Sequence, residues 1–95
     1  MIIIDRRVAL VCNTLAGQGK AIAVTAAVAE QLTKRSITFS VFSDEWPSSF
    51  AGFTDVFIVG GDGTLNYFIN RYPDLFLPLT VFKGGTGNDF AWKLY

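Results

Sequence analysis

Asp55-Val56-Phe57-Ile58-Val59-Gly60-Gly61-Asp62-Gly63-Thr64-Leu65-Asn66 is the stretch from which the fold of this chain can be read. Val56 to Val59 is an unbroken apolar run, the pattern of a strand covered on both faces. Glycines then crowd around a single aspartate. Leu65, Phe68, Ile69 and Tyr72 follow at i, i+3, i+4 and i+7, one face of a helix that Pro73 stops. The unit reads as strand, glycine turn, helix.

The same unit recurs outward from it. Val8-Ala9-Leu10-Val11-Cys12 is a second buried strand, ending in the turn-rich Asn13-Thr14-Leu15-Ala16-Gly17-Gln18-Gly19. A helix is expected from about Gly19 to Arg35, with Ala21, Thr25, Val28, Ala29 and Leu32 on one face and Glu30, Gln31, Lys34 and Arg35 on the wet side. Ile37 to Phe42 alternates apolar and polar, as an edge strand does. Ser43 to Gly52, with Trp46-Pro47-Ser48-Ser49, is a connector with room for at most a short helical turn. Leu77 to Phe82 gives a fourth strand, Lys83-Gly84-Gly85-Thr86-Gly87 a third glycine loop, and Asn88 to Tyr95 the opening of a third helix with no stop signal.

Strands alternating with helices demand parallel pairing and right-handed crossovers. The expected fold is α/β: a small open parallel sheet of about four strands, order 2-1-3-4, with helices on both faces.

Composition narrows the function. A chain of 95 residues makes one small domain, and its 51% apolar content argues for a packed core rich in its nine Phe. Eight basic and eight acidic residues leave no net charge, which removes the electrostatic footprint of a nucleic-acid binder. Backbone N–H groups can still hold phosphates. Without histidine there is no Ser-His-Asp or Cys-His mechanism, and Cys12, the one cysteine, reads as a small core residue. The start, Met1 to Arg7, lacks the order of a signal peptide, and no apolar run reaches membrane-spanning length, so a cytoplasmic protein is the expectation.

In an open parallel sheet, ligands bind outside the carboxyl ends of the strands. Three glycine loops leave such ends here: Asn13–Lys20, Gly60–Thr64 and Gly84–Asn88. Two of them feed helix N-termini, where free N–H groups and the dipole favour an anion. Each could be a plain turn, with Asp62 or Thr64 as helix cap in the second and Asn88 or Asp89 in the third. Gly17-Gln18-Gly19-Lys20 is not a Walker A motif, since Ala21 stands where Ser or Thr is needed. Three such loops at one edge describe a phosphate cradle.

Asn13…Gly17-x-Gly19-Lys20, Gly60-Gly61-Asp62-Gly63-Thr64-Leu65-Asn66 and Gly85-Thr86-Gly87-Asn88-Asp89-Phe90-Ala91 resemble, in order and spacing, the signatures of the diacylglycerol kinase catalytic-domain family. That family includes bacterial lipid kinases and the sphingosine and ceramide kinases. The middle signature alone is shared with NAD kinases; the last looks like the lipid-kinase version. A non-catalytic nucleotide-binding or interaction module is a further alternative. The resemblance implies ATP as phosphoryl donor, with Mg2+, and a lipid hydroxyl as acceptor. It implies Asn13, Gly17, Gly19 and Lys20 lining the site, Gly60, Gly61, Gly63 and Thr64 around the phosphate chain, and Gly85, Thr86, Gly87 and Asn88 beside it. Asp62 is implied to activate the acceptor hydroxyl or organise magnesium, and the metal ligands stay open. Thr14 and Lys83 depart from the family pattern, which usually has proline at both places.

The resemblance further implies that residues 1–95 are the nucleotide-binding front domain of a two-domain kinase. A β-rich C-terminal domain would form the lipid site, with peripheral membrane contact. A domain without its partner should hide apolar surface by self-association. Phe90, Trp92, Leu94 and Tyr95 are the first candidates for that surface, Trp46 and Phe50 the second.

Overall fold

The computed structural model describes residues 6–13, 20–43, 45–82 and 93–94. Among them the chain runs β1 (Arg7–Cys12), α1 (Lys20–Lys34), β2 (Thr38–Phe42), β3 (Asp55–Val59), α2 (Asp62–Arg71), β4 (Leu79–Phe82) and β5 (Lys93–Leu94). The sheet order is β2-β1-β3-β4-β5. The first four strands are mutually parallel in the expected order 2-1-3-4.

β5 is a correction. Lys93 and Leu94, expected in a third helix, pair antiparallel with Val81 and Thr80. The outer edge of β4 offers unpaired N–H and C=O groups, and satisfying them outweighs the local helical pattern. The rest of the expected helix, 88–92 and Tyr95, lies outside the described residues.

Both faces of the central strands are covered, which is why β1 and β3 read as continuous apolar runs. Val8, Leu10 and Cys12 of β1 join Phe57 and Val59 of β3 and Ala21, Val28 and Leu32 of α1. Cys12 is thus a core residue. Ala9, Val11, Val56 and Ile58 point the other way, onto Phe68 of α2 and Phe50 of the connector. The helices lie on opposite faces because the sheet grows from β1 to β2 one way and from β3 to β4 the other, with one crossover hand. Thr25, on the buried face of α1, satisfies its hydroxyl by donating to the Ala21 carbonyl at 2.7 Å.

α2 sits slightly rotated from its expected setting. Thr64 and Phe68 are buried, Leu65 and Tyr72 are half-buried, and Ile69 is 48% exposed. At ~100° per residue this turns the buried stripe toward Thr64 by roughly 40°. The connector explains the rotation. It forms no helix but lies beside α2 as part of the same layer. Phe50 is 5% exposed and packs edge-on against Tyr72, with ring centroids 4.8 Å apart. Trp46 meets both Tyr67 and Phe68. Neither Phe50 nor Trp46 is therefore the bare patch expected of them: both are spent on the fold. The apolar side chain left most open among the described residues is Phe76, at 96%. No described helix is long and apolar enough to cross a membrane.

α1 ends in a Schellman motif built on a non-glycine residue. Ile37 N–H donates to the Leu32 carbonyl at 2.9 Å and Ser36 N–H to that of Thr33 at 3.1 Å, with Ser36 at φ 56°. An L side chain in that region costs about 1 kcal/mol. Ser36→Gly should accordingly stabilise the domain by up to about 1 kcal/mol, read as a higher urea midpoint at unchanged slope.

The connector is also fixed by polar bonds. The Tyr72 hydroxyl donates to the Pro47 carbonyl at 2.6 Å, and Arg71 Nη2 donates to that of Trp46 at 3.3 Å. Burial raises the Tyr72 phenol above its usual 10; nearby Arg71 pulls it back and Tyr67 raises it further. A phenol that keeps its proton longer when folded adds stability that is complete below pH ~10 and lost as pH rises through the raised value. Tyr72→Phe should cost about 1 kcal/mol at neutral pH and reduce the fall in melting temperature in alkaline buffer.

Candidate functional site: the carboxyl edge of the sheet

Cys12 of β1 pairs with Val59 of β3, and Val59 pairs with Phe82 of β4. Three neighbouring strands thus end at one level, and the chain leaves each of them on the same edge. Between β1 and β3 the direction of sheet growth reverses. Such a switch point opens a crevice at the strand ends, because the flanking loops diverge to opposite faces.

Asn13, half-buried, follows the last residue of β1. Lys20 opens α1, at the same edge. Gly60, Gly61 and Asp62 follow Val59, and Asp62 is the first residue of α2. The N-cap is Gly61, extended at φ −102°, with no side chain capping the helix. Neither Asp62 nor Thr64, the expected caps of a plain turn, is therefore the N-cap. Asp62 is exposed within the first turn, at the positive end of the helix dipole. Gly17, Gly19, Gly85, Thr86, Gly87 and Asn88 lie outside the described residues.

The three glycines around Asp62 are not alike. Gly60 is buried at φ +157°, where side chains are rare, and a Cβ there would stand 2.5 Å from Thr64 Oγ1 and 2.7 Å from Thr64 Cβ. Packing alone requires glycine at this position. A Cβ on Gly61 or Gly63 would meet nothing within 4 Å. Both residues are exposed, and space is left open at the start of a helix whose first N–H groups have no intrahelical partner.

The side chain of Thr64, a residue expected around the phosphate chain, is turned inward. The residue is 7% exposed, its side chain against Gly60. Trp46, conversely, reaches this edge from the connector. Its indole N–H donates to the Cys12 carbonyl at 3.3 Å, carrying the connector across the end of β1, and its ring stands edge-on to Tyr67 of α2. A tryptophan in a Pro- and Ser-rich connector was the available signal, but nothing local says which carbonyl it finds.

These differences give opposite signs within one loop. Gly60→Ala should destabilise the domain by more than about 1 kcal/mol through contact and backbone strain. Gly63→Ala, inside α2 with free space around it, should stabilise it by up to about 1 kcal/mol. Denaturant midpoints of the two variants would show whether the loop is built this way.

Comparison with known proteins agrees with the geometry. Residues 7–95 match the diacylglycerol kinase catalytic domain. Proteins of Staphylococcus aureus strains JH9, Newman and JH1, each named "Putative lipid kinase", are 51% identical to the chain over 41 residues. That stretch is 41% of this chain and 13% of each relative, so the match spans a small part of their length. With the family model matched along nearly the whole chain, the chain belongs to the diacylglycerol kinase catalytic domain family.

Proposed function

We propose that this chain is the nucleotide-binding half of an ATP-dependent kinase that phosphorylates a lipid hydroxyl, diacylglycerol or sphingosine in type. The observation that carries the reading is the pair Gly61 and Gly63: exposed glycines, with nothing within 4 Å of a Cβ, at the N-terminus of α2 and beside the aligned ends of β1 and β4. The fold does not need glycine at those places. A phosphate chain approaching backbone N–H groups does, because a side chain would hold it away. Family membership and the names of the relatives favour a lipid acceptor.

In this reading the N–H groups of Gly61 and Gly63 hold phosphate oxygens at the positive end of α2. Asn13, Gly17, Gly19 and Lys20 line the β1 side, and Gly85, Thr86, Gly87 and Asn88 the β4 side. Asp62 takes the proton of the acceptor hydroxyl as its oxygen bonds to the γ-phosphorus and the bridging oxygen leaves with ADP. The donor set fits magnesium carried in on the nucleotide. No described cluster of three His, Cys, Asp or Glu exists to hold a metal by itself, whereas Mg2+ needs only one or two carboxylates beside phosphates and water. Asp62 supplies one. Bound there, magnesium would neutralise charge developing on the phosphate oxygens. The lipid site belongs to a second, strand-rich domain of the full-length protein, which works in the cytoplasm against a membrane surface.

Two substitutions test this. Gly63→Ala should weaken ATP binding by about tenfold or more in calorimetric titration, although it makes the fold more stable. Asp62→Asn in the full-length protein should lower transfer of labelled γ-phosphate to diacylglycerol or sphingosine in mixed micelles by about 100-fold or more, with nucleotide affinity nearly kept. Turnover close to that of the unaltered protein would reduce Asp62 to a scaffold residue. Unchanged ATP affinity in Gly63→Ala would remove the glycine cradle.

A further inference from the structure

Thr64 is a polar residue in the middle of the candidate phosphate loop, and the structure buries it. Its Oγ1, Cβ and Cγ2 stand 2.5, 2.7 and 2.9 Å from where a Cβ of residue 60 would be. The side chain therefore fills the notch that glycine leaves at position 60. Gly60 N–H in turn donates to the Phe82 carbonyl at 3.0 Å, which adds one more rung to the β3–β4 ladder beyond Val59. Phe82 is the last residue of β4, where the third glycine loop begins.

The two contacts form a chain. The Thr64 side chain limits how far Gly60 can fold back toward α2. Gly60 in its position meets Phe82. Cores and tight turns transmit such contacts because they contain little free volume.

We infer that Thr64 is a positioning residue: its shape, not its hydroxyl, sets the spacing between the β3–α2 loop and the end of β4, and it does not touch the phosphates. This rests on the nucleotide-binding reading for its functional consequence, but the loop geometry can be measured without any nucleotide.

Shape and hydroxyl are separated by two variants. Thr64→Val keeps the branched shape and loses the oxygen; Thr64→Ala loses both branches. Amide hydrogen exchange on the nucleotide-free protein reads the rung directly. Gly60 N–H should exchange about tenfold or more faster in Thr64→Ala, and as in the unaltered protein in Thr64→Val, with the amides of Phe57 and Ile58 unchanged in both. ATP titration at a temperature where all forms are folded should give an affinity within about twofold for Thr64→Val and about tenfold weaker for Thr64→Ala.

Equal loss of affinity in both variants would mean that the hydroxyl itself binds phosphate, and the inference fails. Unchanged Gly60 exchange in Thr64→Ala would overturn it too, as would unchanged affinity. If the unaltered protein binds no ATP, the nucleotide reading fails, and the exchange measurement still decides the role of Thr64 in the loop.

Discussion

Parallel pairing of β1, β3 and β4 in one register is the constraint on which the other features depend. A parallel ladder fixes relative height as well as adjacency: with Cys12 opposite Val59 and Val59 opposite Phe82, the three strands must release their chains at one level. A slip of one residue would also turn each apolar run inside out. It would bring residues of the α1 face, such as Leu10 and Phe57, to the α2 face. Burial on both faces thus enforces the register, and the register assembles the edge. The candidate site is in this sense a by-product of core packing.

The second layer shows how a small chain covers a sheet with few helices. Among the described residues, α1 is the helix on one face, whereas the other face is shared by α2 and a connector whose described residues form no helix. Irregular backbone in a covering layer needs partners for its polar groups. Arg71 and Tyr72 supply them by donating to the carbonyls of Trp46 and Pro47, just where α2 ends. Aromatic edges do the rest: Phe50 packs against Phe42, Phe53, Phe68 and Tyr72. The abundance of phenylalanine in so short a chain reflects this use, since large rings close the gaps that a missing helix would leave.

The loop around Asp62 shows that neighbouring glycines can be present for different reasons. Gly60 answers to Thr64 inside the protein, while Gly61 and Gly63 face open space. A motif written as one string therefore mixes residues that shape the backbone with residues that expose it. The carboxylate between them stands in the first turn of α2 without serving as its cap.

Much was legible in the sequence because it depends on local pattern and on chirality. Apolar runs of strand length, helical spacing in Ala21–Leu32, and glycines at strand ends gave the element order, the parallel sheet and the edge that gathers Asn13, Gly60, Gly61 and Asp62. Pro73 stopped α2 where a ring without an N–H must. What only the tertiary structure decided is how each element is turned and what it meets. A helical stripe is wider than the surface it packs on, so the connector's position, not the sequence period, put Thr64 inward and Ile69 outward. Likewise Lys93 and Leu94 carry a helical pattern yet pair with β4, because an open sheet edge is a long-range partner that no local window contains. Trp46 reached the Cys12 carbonyl for the same reason: contacts between distant segments follow from the packed whole, and residue order does not encode them singly.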